Sequence, residues 1–114
     1  MSRDKSINSV ASTSNIRKVN SIRFPKGCVY ILKKENEDLY KIGVSQNPAR
    51  RIRDIKAILP FEVDVIFISS ELEKVYDLEF IIHEKFKENR VRKEWFNIYE
   101  EDIVILINIL KDGV

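Results

Sequence analysis

The 114-residue chain contains one cysteine, one tryptophan, one histidine, three glycines and three prolines, and each scarcity removes a class of function. Cys28 alone cannot close an internal disulfide, and nothing else points to an oxidising compartment. One Cys and one His do not furnish a four-ligand structural zinc site without several carboxylates. His83-Glu84 opens the string HEKFK and lacks the second histidine of an H-E-x-x-H metalloprotease helix. Three glycines leave no room for a glycine-rich phosphate loop. No unbroken apolar run exceeds Ile103–Ile107, against the roughly 20 residues of a membrane helix. The first ten residues are polar, without the apolar h-region of a secretory signal. Internal repeats are absent too. What remains is 44% hydrophobic and 33% charged residues, the composition of a soluble globular protein. One domain in the cytoplasm, with no membrane association, is the expectation.

Net charge is +2, but it is unevenly placed. Residues 1–26 carry Arg3, Lys5, Arg17, Lys18, Arg23 and Lys26 against Asp4 alone, a balance of +5. The remainder holds 14 basic and 17 acidic residues, a balance of −3. The segment from Met1 to about Ser21 is rich in Ser and Asn and has too little apolar surface to offset the entropy of ordering. The chain therefore divides into a flexible basic arm, residues 1–26, and a structured domain, residues 27–114. Such an arm fits polyanion binding, with Arg17, Lys18, Arg23 and Lys26 as candidate DNA contacts. A solubilising tail explains the charge equally well.

Cys28–Lys33 and Leu39–Val44 are β-branched and aromatic runs separated by polar residues, which predicts a hairpin. A loop centred near Glu35 and Asn36 sets Tyr30 opposite Lys41 and Leu32 opposite Leu39. Both faces carry apolar residues: Cys28, Leu32 and Leu39 on one, Val29, Ile31, Tyr40 and Ile42 on the other. The sheet should thus be covered on both sides. Asn47-Pro48 starts a helix that ends before Pro60. Phe61–Ile68 alternates as a third strand. Ser70 and Glu73 form a capping-box pattern opening a long helix to about Asn89. Arg90–Ile98, with Trp95 and Phe96, reads as a loop or short extended piece. Glu100–Lys111 reads as a last helix, with its β-branched content leaving a strand as the alternative.

Helical wheels isolate the polar residues that sit on apolar stripes. In the first helix Ile52, Ile55, Ile58 and Leu59 form the stripe and Arg51 falls within it, whereas Arg50, Arg53 and Lys56 do not. In the long helix Glu79 lies at the centre of the stripe formed by Leu72, Val75, Tyr76, Ile82 and Phe86, with His83 beside it. Two readings follow, because an unpaired buried charge is costly. Arg51 and Glu79 pair with each other or sit at the core's rim; alternatively they line a pocket where Tyr30 and Lys41 also emerge. A tyrosine, a lysine, an arginine and a carboxylate together suit phosphate chemistry with a divalent metal. Trp95 and Phe96 fit core packing better than a base-stacking platform.

Cys28-Val29-Tyr30, Lys41-Ile42-Gly43, Asn47-Pro48, Arg51, Glu79 with His83, and Glu94-Trp95-Phe96 together resemble the GIY-YIG nuclease superfamily, closest to its small phage-associated branch. The likeness spans about Gly27–Tyr99. It implies an α+β fold, a three-stranded antiparallel sheet flanked by helices, and hydrolysis of a DNA phosphodiester with one divalent ion, Mg2+ or Mn2+. By position, Glu79 would hold the metal, Tyr30 would orient or deprotonate the attacking water, and Arg51 would stabilise charge on the phosphoryl group. Gly43 would permit close passage of the backbone past the substrate. Lys41 replaces the tyrosine of the second motif and could act on phosphate or water if desolvated. Cys28 replaces the first glycine. His83 either supports Glu79 from behind or lies at the rim, and Asn97 is a weak counterpart of the family's late asparagine.

Three functions from different classes are consistent with these features: a small metal-dependent DNA endonuclease (a hydrolase), a DNA-binding module of the same fold with lost or weakened catalysis, and a protein-interaction domain. In the first two, Arg50 and Arg53 join the arm as DNA contacts. In the third, Ile103, Ile107 and Leu110 dock a partner or a second copy, giving a homodimer.

Overall fold

A computed structural model describes residues 25–112. In chain order they form β1 (Cys28–Lys34), β2 (Leu39–Ser45), α1 (Pro48–Ile58), β3 (Val63–Ile68), α2 (Val75–Lys85), a 3₁₀ turn (Lys87–Asn89), β4 (Arg90–Arg92), β5 (Trp95–Asn97) and α3 (Glu100–Lys111). The strands make one antiparallel sheet in the order β3-β1-β2-β5-β4. The fold is α+β, but with five strands rather than the expected three. The two additional strands are three residues each, too short to show an alternating pattern, and their turn is closed by Lys93 at φ 53°. None of the described helices is long and apolar enough to cross a membrane.

The hairpin of β1 and β2 forms as its composition predicts, and Asn36 turns it at φ 65°, a left-handed conformation that Asn tolerates. Its register is offset from the expected one: Tyr30 faces Gly43, Ile31 faces Ile42 and Leu32 faces Lys41. The offset is two residues, so every side chain stays on its expected face. One face buries Val29, Ile31, Tyr40 and Ile42 with Phe96 and Ile98 beneath α2 and α3. The other buries Tyr30 and Leu32 against Ile52 and Ile55 of α1, with Leu59, Phe61, Val63 and Trp95 around them.

Local sequence rules hold at α1. The Asn47 side chain accepts from the Arg50 N–H at 3.2 Å, Pro48 takes the first helical position, and the backbone becomes extended at Leu59 before Pro60. They are overridden at α2, which does not begin at Ser70. Residues 69–72 are held extended along β1: the Ser69 N–H donates to Val29 O at 2.9 Å, and Gly27 and Leu72 exchange backbone hydrogen bonds. The helix starts only after Lys74 turns the chain at φ 50°, and it ends at Lys85 rather than near Asn89. β3 also departs from simple alternation. Its pairing with β1 skips Ile66, so Phe67 packs on the α2 face and Val63 on the α1 face. One extra residue in a strand reverses the faces on either side of it.

Candidate functional site

Tyr30 is 1% exposed, and its ring lies across the strand pair over Gly43. A Cβ on Gly43 would stand 2.5 Å from the Tyr30 hydroxyl and 2.6 Å from Cζ. Gly43 is therefore glycine to make room for a tyrosine side chain. That differs from the expected passage of backbone past a substrate, because protein atoms already fill the space. The Arg51 guanidinium donates to the Tyr30 hydroxyl. Burial pushes the Tyr30 phenol above its usual value, Arg51 opposes this, and the charges of Glu94 and Glu79 add to the rise. The hydrogen bond to Tyr30 in turn raises Arg51, whose nearby charges include Glu94 and Asp54.

Pairing of β5 with β2 ends at Trp95 opposite Lys41, and the Ile42 N–H makes a last bond to Glu94 O at 3.1 Å. Glu94 thus stands at the corner where β5 stops, beside Gly43. The Lys41 ammonium lies 3.1 Å from Glu94 Oε1, with the Lys41 side chain only 12% exposed. Lys41 also sits 5.6 Å from the centre of the Trp95 ring. Glu79 lies between Val75 and Ile82 on the sheet-facing stripe of α2, and its carboxyl group hydrogen-bonds that of Glu94. Burial and then the Glu94 charge and hydrogen bond push Glu79 up to about 7, against a lowering by Lys41. Glu79 therefore holds its proton into the neutral range.

Two carboxyl groups side by side are donors that a hard cation could use. Glu94 Oε1 is sealed from solvent and has no hydrogen-bond partner among the described residues, the Lys41 ammonium standing 3.1 Å from it as an ion pair. A buried acceptor without a partner is costly, and a divalent cation between two carboxylates would satisfy it. Mg2+ commonly takes only one or two protein carboxylates and keeps several waters. Among the described residues no group of three or more His, Cys, Asp or Glu is placed to hold a metal, so these two carboxyl groups are all the acidic donors such an ion would have here.

Tyr30, Lys41, Arg51 and Glu79 are thereby brought into one constellation centred on Glu94. The alternative in which Arg51 pairs with Glu79 does not occur: Arg51 engages the Tyr30 hydroxyl, and Glu79 engages Glu94. His83 ties α2 to β2, its Nε2 donating to Ile42 O at 2.8 Å and its ring 5.0 Å from that of Phe96. It supports the site from behind. Asn97 is exposed opposite Leu39, away from Gly43 and Glu94. Phe96 is core, whereas Trp95 is half-buried at the edge of a cleft of about 330 Å³ beside the cluster.

Residues 27–111 match the family model of the T5orf172 domain. The chain belongs to that family. No curated protein and no solved structure matches it. In this T5orf172 domain Arg50 and Arg53 are exposed on α1, and Lys26 lies 3.6 Å from Glu73 in a largely solvated pair. Arg17, Lys18 and Arg23, and with them the basic arm, lie outside the described residues. Sequence reasoning assigned Glu94 no role, although Glu94-Trp95-Phe96 was noticed as a motif. The available signal was a lone carboxylate among Arg90, Arg92 and Lys93, next to the only tryptophan.

Proposed function

We propose that this T5orf172 domain is a small DNA endonuclease of the GIY-YIG type, hydrolysing phosphodiester bonds with one divalent cation. The observation that carries the reading is the carboxyl pair Glu79–Glu94, whose buried Glu94 Oε1 has only the Lys41 ammonium at 3.1 Å beside it, set next to Arg51 and Tyr30. Glu79 and Glu94 would hold Mg2+ or Mn2+, which when bound supplies Lewis-acid polarisation of the phosphate. Arg51, exposed at the rim, offers its remaining donors to a non-bridging phosphate oxygen. Because burial raises the Tyr30 phenol, its hydroxyl is suited to hold the attacking water rather than to take its proton. Lys41 neutralises the carboxylate side of the site and can donate toward the phosphate from there.

The runner-up is a DNA-binding module of the same fold without catalysis. Lys41, standing where the wider GIY-YIG superfamily has its second tyrosine and engaged by Glu94 at 3.1 Å, favours it. Incubation of supercoiled plasmid with the full chain decides between the two. Nicking that needs Mg2+ or Mn2+ and is abolished by chelation is expected. Salt-sensitive binding without nicking would establish the runner-up, and no DNA binding at low salt would leave only an interaction domain.

A further inference from the structure

The cleft beside the carboxyl cluster is lined by the cations Lys41 and Arg51 and by the apolar Ile55, Ile58, Leu59 and Trp95, with the Lys41 ammonium 5.6 Å from the centre of the Trp95 ring. Ile58 is 82% exposed and belongs to neither core cluster, so its side chain is free to contact a ligand in the cleft. Trp95 meets Phe61 at 5.7 Å with their planes 74° apart, a near-perpendicular contact that fixes the indole in orientation. Asp54 also lines the cleft, and its carboxylate opposes a second phosphate there. A volume of about 330 Å³ is at the low end of small-molecule sites, about 300–1,000 Å³. One flat apolar group joined to one phosphate matches that size and that mixture of cationic and apolar lining.

Resting on the DNA reading above, we infer that this cleft receives a single unstacked nucleobase on the Trp95 indole while its phosphate lies at Lys41 and Arg51. A base inside an intact duplex presents no free face, so a nucleotide must leave the stack to enter. That is easiest in single strands and at mismatches or frayed ends. The domain therefore prefers such DNA to perfect duplex, through stacking that any base can supply.

Trp95 is the only tryptophan, so its emission reports directly on the cleft. The full chain in EDTA is titrated with an eight-nucleotide oligothymidylate and with an abasic deoxyribose-phosphate chain of the same length. Quenching by the oligothymidylate is expected, with affinity five- to 150-fold above that of the abasic chain, the range set by one base–aromatic stack of about 1–3 kcal/mol. Ile58→Ser, at an exposed position that cannot threaten the fold, should shrink that difference. Trp95→Leu, followed by fluorescence anisotropy of labelled oligomers, should abolish it. Equal binding of both oligomers without a change in emission would overturn the base site while leaving DNA binding intact. Binding of neither would overturn both.

Discussion

Glu79 of α2 and Glu94 of the β4–β5 turn hold their carboxyl groups in hydrogen-bonding contact, with the Lys41 ammonium 3.1 Å from Glu94 Oε1. The contact joins a helix packed on one face of the sheet to the corner where β5 ends. Glu79 consequently keeps its proton up to about pH 7, well above the ordinary carboxylate range.

The first prediction concerns stability against pH. A carboxyl group whose pKa is higher in the folded than in the unfolded chain stabilises most below the unfolded value, and that contribution fades as pH rises through the folded value. Metal-free protein should therefore lose stability between about pH 4.5 and 7 on account of Glu79. Glu79→Gln, permanently neutral, should melt with the parent at pH 5 and above it at pH 8. Solvent screening limits the gain to about 1 kcal/mol, roughly 4–8 °C in a domain of this size. Thermal melts at the two pH values check this; a variant several degrees less stable at both would make Glu79 a structural residue.

Gly43→Ala should be destabilising far beyond an ordinary strand substitution. The new Cβ overlaps the Tyr30 hydroxyl and Cζ, and Tyr30 is buried with nowhere to retreat. Overpacking of this kind costs about 1–3 kcal/mol. Chemical denaturation should show a lower midpoint with unchanged slope, and an unaffected midpoint would mean that the Tyr30 ring does not lie over Gly43.

Lys41→Met leaves Glu94 without its cation beside a second carboxyl group. Glu79 loses the charge that lowers it, so its proton affinity should rise further. A double-mutant cycle with Glu94→Gln isolates the pair, and a coupling of about 1–2 kcal/mol is expected for so little-exposed a lysine. Strict additivity would show that the 3.1 Å contact carries no energy.

Arg51→Ala should separate fold from chemistry. Arg51 is itself exposed, but its loss strips the buried Tyr30 hydroxyl of its donor, so stability should fall by about 1–3 kcal/mol with the chain still folded. Plasmid nicking should fall by about 100- to 1,000-fold, the effect of deleting one donor to transition-state charge. Nicking at the parental rate would remove Arg51 from the site.

What was legible in advance follows from the range of each signal. The central hairpin's faces, the Asn47-Pro48 helix start and the position of Glu79 on an apolar stripe are local patterns of period two or 3.6, and they appear in the structure. The start of α2 is not legible locally, because backbone pairing of Leu72 with Gly27 overrides the capping pattern at Ser70. The face reversal between Val63 and Phe67 depends on a bulge that alternation cannot reveal. Glu94 escaped notice for the same reason as β4 and β5. Three-residue strands carry almost no periodicity, and only their pairing with Lys41 turns Glu94 toward Glu79.

Manganese binding to the metal-free protein tests the central claim most directly, because it asks whether Glu79 and Glu94 form a cation site independently of any DNA. Free Mn2+ measured by electron paramagnetic resonance should show one bound ion per chain, held more tightly at pH 8 than at pH 6 as the proton leaves Glu79. Binding should vanish in Glu79→Gln and in Glu94→Gln while both variants remain folded. Undiminished Mn2+ binding in either variant, or none in the parent at pH 8, would contradict the account.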